Sequence, residues 1–161
     1  MQSLGAIAHY DYRQPASYSY EQAIQVIRRM GLPRKDMEQQ VLRAIFNLIG
    51  RNCDDHVKNI AFIMNRRGEW RLSPAFDISY AWNPSGEWTS RHQMSVNGKR
   101  DGFEREDLHA LAKVADIKKA RAEQMVQRVI EVVHRWPDFA KEAGVADAQV
   151  KNIQASQRTN L

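Results

Sequence analysis

The side chains best suited to chemistry lie in a short polar segment, Asp54 to Asn59, and at Asp77. The segment reads Asp-Asp-His-Val-Lys-Asn and is placed between two strongly apolar stretches. Asn59 follows Asp54 by five residues, and Asp77 follows Asn59 by 18. In protein kinases a base Asp, a metal-binding Asn five residues later and a second metal-binding Asp beyond a hairpin have this layout. The spacing therefore predicts phosphoryl-transfer chemistry.

The residue types fit that chemistry because phosphoryl transfer requires a positioned nucleophile and neutralised phosphate charge. Asp54 is the predicted catalytic base. Asn59 and Asp77 supply the hard oxygen ligands that Mg²⁺ prefers, with water and the phosphates of ATP completing its shell. Lys58 is expected to reach the transferred phosphoryl group or to steady the base, and His56 to orient the loop by hydrogen bonding.

Three residues in or near these segments have alternative interpretations. Asp55 competes with Asp54 for the role of base, because a local shift of one residue is hard to exclude, although the spacing favours Asp54. Asp77 can instead cap a helix that begins at Ile78. Cys53 is expected to be a buried small residue, because His56 is too near in the chain to form a Cys–His nucleophile with it.

Apolar spacings of three and four residues predict that the chain is mainly helical. Ser19 is a predicted N-cap and Gly31 a stop signal for the first helix. The predicted helices cover 19–30, 34–49, 104–114, 117–135, 137–143 and 146–155. The helices at 34–49 and 117–135 are expected to form the centre of a bundle.

A small β-hairpin is predicted between the polar segment and Asp77. Residues 60–64 and 69–72 have strand character, and the intervening Asn65–Gly68 has turn composition. A long ordered loop is expected over 82–100. Residues 1–18 are interpreted as an irregular lead-in and residues 156–161 as a flexible tail.

Length and composition predict one domain over 1–161. The chain has 161 residues, 43% of them hydrophobic, which is enough for a core of its own. The net charge of +5 comes from scattered basic pairs without interleaved aromatic residues, so it is a weak sign of nucleic-acid binding. A single cysteine, no signal-like start and no apolar run of roughly 20 residues predict a cytoplasmic protein without membrane contact.

The chain resembles the HipA-like serine/threonine kinase toxins through three stretches: Asp54–Asn59, Leu72–Asp77 and Met94–Lys99. The first matches the family pattern Asp, any residue, His, any residue, Lys, Asn at every position. The second places an aromatic residue and Asp after Pro-Ala, as in the family's metal-binding motif. The resemblance extends from about residue 20 to residue 145.

This resemblance implies the fold of a protein-kinase-like C-terminal lobe, α+β and mainly helical, in which the small hairpin carries the catalytic and metal-binding loops. It implies that Asp54 is the base and that Asn59 and Asp77 hold Mg²⁺. It also implies that the γ-phosphoryl group of ATP is transferred to a Ser or Thr of a protein. Relatives phosphorylate aminoacyl-tRNA synthetases. It also implies a helix-turn-helix antitoxin partner that joins the kinase on operator DNA.

The nucleotide-binding lobe is absent from the sequence, which has no glycine-rich phosphate loop and no strand with an ATP-anchoring Lys. Weak or no activity alone is therefore expected, with the missing lobe encoded elsewhere in the polypeptide or supplied by a separate chain. Three alternatives remain. The chain can be a non-catalytic module that docks an antitoxin or a separate N-terminal lobe, a lipid or small-molecule kinase, or a metal-dependent nuclease using Asp54, His56 and Asp77.

Overall fold

The computed structural model describes all 161 residues as seven helices and a three-stranded sheet. In chain order the elements are β1 (Gln2–Ser3), α1 (Leu4–Ala8), α2 (Tyr20–Arg29), α3 (Arg34–Gly50), β2 (Ala61–Met64), β3 (Trp70–Leu72), α4 (Arg105–Val114), α5 (Lys119–His134), α6 (Trp136–Glu142) and α7 (Asp147–Ser156). The predicted mainly helical α+β fold is confirmed. All six predicted helices are found, each within a few residues of its predicted bounds.

Local capping explains the bounds of α2. The Ser19 hydroxyl accepts a hydrogen bond from the backbone N–H of Gln22, and the Gln22 side chain accepts one from the N–H of Ser19. This reciprocal pair satisfies two backbone donors that the first helical turn leaves free. After the helix, Gly31 adopts a φ of +67°, a left-handed conformation that glycine tolerates best.

The core lies between four helices. α3 packs against α5, α2 and α4, and α4 packs against α5. Helix α3 contributes apolar side chains that are fully buried, including Val41, Ile45 and Leu48. Because its last turn is buried, the loop that follows α3 begins at a fixed position inside the molecule.

The predicted hairpin forms as β2 and β3, and a third strand joins it. β1 pairs antiparallel with β2 through Gln2 opposite Phe62, and β2 pairs antiparallel with β3 through Phe62 opposite Leu72. The backbone N–H of Leu72 also donates to the buried carboxylate of Asp36 on α3, 3.0 Å away. This bond attaches the sheet to the central helix.

Two expectations about the chain's outer segments were wrong. Residues 2–8 form β1 and α1 rather than an irregular lead-in, and Leu4 is fully buried in the core. Residues 157–161 are packed rather than flexible: the backbone N–H of Arg158 donates to Ile49 O, and Leu161 packs against the core. No helix combines the length and apolar character needed to span a bilayer.

Candidate active site

The polar segment and the residues around Asp77 lie side by side because hydrogen bonds join the chain just before the segment to the chain around Asp77. Helix α3 ends at Gly50, and the φ of 62° at its C-cap residue Arg51 turns the chain sharply. The N–H of Cys53 donates to Ala81 O at 3.1 Å, and the N–H of Ala81 donates to Arg51 O at 3.0 Å. The side-chain amide of Asn52 donates to the carbonyl oxygen of Asp77, 3.2 Å away. The segments before and after the hairpin are therefore held together by hydrogen bonds.

Asn59 and Asp77 line the same small polar cleft, together with His56. The Nδ2 of Asn59 donates to the backbone carbonyl of Asp54 at 2.9 Å, which leaves its Oδ1 free to accept. Asp77 is exposed, has a φ of 53°, and its carboxylate forms no hydrogen bond within the chain. No helix begins at Ile78, so the capping alternative for Asp77 was wrong.

This cleft suits a hard cation. Asn59 Oδ1 and the Asp77 carboxylate are oxygen ligands of the kind that Mg²⁺ takes, with water and phosphate filling its other positions. The side-chain oxygen of Gln40, a residue that is only 1% exposed, also borders the cleft and has no hydrogen-bond partner. An unpaired buried acceptor is costly. The Gln40 side-chain oxygen is therefore available to accept a hydrogen bond from a group that enters the cleft.

Asp54 lies in a neighbouring open cleft of about 340 Å³, lined by Tyr12, Arg13, Asp54, His56, Trp88 and Gln93. Its side chain is 47% exposed, and its Oδ1 is 3.9 Å from His56 Nε2. His56 lines both this cleft and the cleft of Asn59 and Asp77. The structure thus brings four of the five predicted site residues into two adjoining clefts.

Lys58 is the predicted site residue that lines neither cleft. Its ammonium nitrogen lies 4.1 Å from the centre of the Tyr12 ring, in a cation–π contact at the protein surface. Tyr12 itself lines the cleft of Asp54. The role proposed for Lys58 therefore requires its side chain to leave Tyr12.

Asp55 occupies a very different environment from Asp54. It is 2% exposed, and its carboxylate accepts from the Tyr20 hydroxyl at 2.8 Å, from His92 Nδ1 at 2.7 Å and from the N–H of Gln93 at 2.8 Å. Burial, and then the Asp55 carboxylate, raise the pKa of Tyr20 well above its ordinary value. Tyr20 therefore remains a neutral donor to Asp55.

His92 is a residue whose position the sequence did not reveal. It is fully buried, with Nδ1 against Asp55 and Nε2 3.0 Å from Nη1 of Arg158. Burial lowers its pKa and the Asp55 carboxylate raises it, and the balance lies at about 9. These partners come from separate segments of the chain, so spacing along the sequence carried no signal for the contact.

Among His, Cys, Asp and Glu side chains, no three lie close enough to hold one metal ion together. Asp54, His56 and Asp77 therefore do not form the ligand cluster that the nuclease alternative requires. Cys53 is buried and unpaired, as predicted.

The comparisons with known proteins assign the chain to a family. The family model for the HipA-like C-terminal domain matches residues 1–136, so the chain belongs to that family. A search of curated proteins returned no match.

A solved structure of HipA from Shewanella oneidensis MR-1, in a toxin–antitoxin complex with HipB and operator DNA, has the same fold with a TM-score of 0.63 and 18% sequence identity. The likeness covers 85% of this chain and 32% of that one, so the chain spans about a third of its solved relative.

Proposed function

We propose that the chain is the catalytic-base and metal-binding part of a HipA-like serine/threonine kinase. In this proposal it transfers the γ-phosphoryl group of ATP to a Ser or Thr hydroxyl of a protein. The observation that carries the proposal is the meeting of Asn59 and Asp77 in one cleft, with His56 on its wall and Asp54 just beyond. These are the residue types that kinase-type phosphoryl transfer uses as metal ligands and as the base.

Each residue has a definite task in this reaction. The Asp54 carboxylate accepts the proton of the substrate hydroxyl as the new O–P bond forms and the bond to ADP breaks. Asn59 Oδ1 and the Asp77 carboxylate would hold Mg²⁺, whose charge would neutralise the phosphate oxygens. The bond from Asn59 Nδ2 to the Asp54 carbonyl connects the metal ligand to the base. Lys58 is assigned to the transferred phosphoryl group once it leaves Tyr12.

The nucleotide-binding lobe is supplied elsewhere in a longer polypeptide or by a separate chain. The partner proposed for the assembled kinase is a HipB-like helix-turn-helix antitoxin, because the solved relative is bound to HipB and operator DNA. The substrate is a protein, with an aminoacyl-tRNA synthetase as the first candidate. The proposed setting is the cytoplasm.

A docking module without catalysis is the second candidate. Ile63 and Met64, on the central strand of the sheet, are 39% and 54% exposed. Apolar side chains at such positions favour contact with another lobe or chain. A kinase would also use this surface to contact its second lobe. Only a measurement of phosphoryl transfer therefore distinguishes the two candidates.

Phosphoryl transfer from γ-labelled ATP tests the proposal. The chain is supplied with a nucleotide-binding lobe, and label is followed into protein, with phosphoamino-acid analysis. We expect labelled Ser or Thr, and a fall of about 10²- to 10⁴-fold for Asp54→Asn, the usual contribution of a general base. Asp116→Asn, on an exposed turn, is the matched control.

Inactive wild-type protein would sink the kinase proposal and leave the docking module. Label in lipid or small molecules instead of protein would favour the other phosphotransferase alternative. Full activity in Asp54→Asn would remove Asp54 from the role of base.

A further inference from the structure

We propose that Arg158 and His92 are positioning residues that hold Asp55, and through it the neighbouring Asp54, in the orientation needed to accept a proton. This inference rests on the proposed function for its kinetic part. Its structural part stands on contacts that join the segment after α7 to the loop after α3.

Arg158 is placed to fix the end of α3. Its Nη1 donates to Leu48 O at 2.8 Å, and its backbone N–H donates to Ile49 O at 2.9 Å. Both carbonyls belong to the last turn of the helix, whose acceptors have no partners within the helix. A cation there also interacts favourably with the helix dipole. The residue thus anchors the point from which the catalytic loop departs.

The same guanidinium reaches the loop through His92. Arg158 Nη2 donates to Asp101, and its Nη1 faces His92 Nε2. The ring of His92 therefore lies between two charged side chains, with Nδ1 2.7 Å from the Asp55 carboxylate and Nε2 3.0 Å from Arg158 Nη1. Arginine, histidine and aspartate form one continuous chain of hydrogen bonds.

Asp55 transmits this constraint because it adjoins the proposed base. Its three hydrogen bonds leave its carboxylate no freedom to rotate, while Asn59 holds the carbonyl of Asp54. The peptide between Asp54 and Asp55 is thus fixed from both sides. A base misplaced by about 1 Å can lose about 10²-fold in rate.

Several titratable groups surround His92, and Arg158 is the one that contacts Nε2. The others are the Asp55 carboxylate, the Tyr20 hydroxyl on the same carboxylate oxygen, the Cys53 thiol, and Arg100, which donates to the His92 carbonyl. The family model ends at residue 136. The proposed contribution of Arg158 therefore comes from a segment outside the matched residues.

Nitrogen-15 NMR of the histidine rings tests the structural part on the intact chain. In the wild type we expect the Nε2 signal of His92 to reflect its contact with Arg158 and the Nδ1 signal its contact with Asp55. In Arg158→Met the contact at Nε2 is lost, and we expect the Nε2 signal to shift while the Nδ1 signal still reflects Asp55. Gln157→Met, the adjacent residue, is the matched control and should leave the His92 signals unchanged.

Steady-state kinetics of the kinase, paired with its nucleotide-binding lobe, tests the positioning role. We expect Arg158→Met to lower kcat by about tenfold to 100-fold while KM for ATP changes by less than about twofold. Asp101→Asn releases only one contact of Arg158 and should shift both readouts in the same direction by less. If Arg158→Met fails to fold, Asp101→Asn provides the test instead.

The outcomes separate the two proposals. Wild-type protein without kinase activity contradicts the proposed function, while the NMR experiment still reports on Arg158 and His92. His92 ring signals that are the same in the wild type, in Arg158→Met and in Asp101→Asn overturn the inference. If the wild type is active and both variants keep its kcat, the inference is overturned as well.

Discussion

Asp54 and Asp55 are consecutive carboxylates with opposite environments. The side chain of Asp54 is 47% exposed in an open cleft, whereas Asp55 is buried and accepts three hydrogen bonds. A base must be reachable by the substrate hydroxyl and must have a free oxygen. This contrast supports Asp54 for the role that the sequence left open between the two.

The same contrast predicts different effects on stability. Asp55→Asn breaks a buried ion-paired network, and we expect the free energy of unfolding to fall by about 3 kcal/mol. Asp54→Asn, one residue away, should change it by less than about 0.5 kcal/mol, since its side chain is half exposed. Urea unfolding at pH 7 measures both. Equal unfolding midpoints for the two variants would contradict the assignment of Asp55 as the structural carboxylate.

At this scale the sequence predicted that Asn59 and Asp77 lie together, but it did not predict the residues that surround them. Spacing alone brought Asn59 and Asp77 into one proposal, because a hairpin between them has a defined return point. It could not find His92, Tyr20 or Arg158, because their contacts depend on how distant segments pack. The contact of Lys58 with Tyr12 was missed for the same reason.

Among the elements, α1 and β1 show how a short segment escapes pattern analysis. A two-residue strand and a five-residue helix are too short to display a period of two or of 3.6. The longer helices α3 and α5 were predicted because their apolar spacing repeats over several turns. Tertiary contacts also order residues 157–161, which composition alone described as a flexible tail.

Leu4 tests whether the first segment is part of the folded domain. Its side chain is fully buried in the core, so Leu4→Ala removes contacts and leaves a cavity. We expect a loss of about 3 kcal/mol in unfolding free energy, measured by urea titration. Gln2→Ala, at an exposed position of β1, is the control and should be nearly neutral. An unchanged midpoint for Leu4→Ala would mean that the segment does not contribute to the core.

At the scale of the whole molecule, the main feature is that the loop after α3 and the loop after β3 are joined by hydrogen bonds. The backbone bonds between 51–53 and 77–81 close the hairpin region, and the core helices fix where that closure occurs. Family membership and the solved HipA fold agree with this architecture. The chain spans about a third of that relative, which is why a second lobe enters the proposed mechanism.

The most direct measurement is calorimetry of ATP binding, with and without Mg²⁺, on the chain paired with a nucleotide-binding lobe. We expect Mg²⁺ to strengthen ATP binding, and Asn59→Ala and Asp77→Ala each to weaken the Mg²⁺-dependent part by about tenfold or more, about 1.4 kcal/mol. Asp116→Ala should bind as the wild type does. Binding that is insensitive to Mg²⁺, or unchanged in both ligand variants, would contradict the assignment of Asn59 and Asp77 as the metal site.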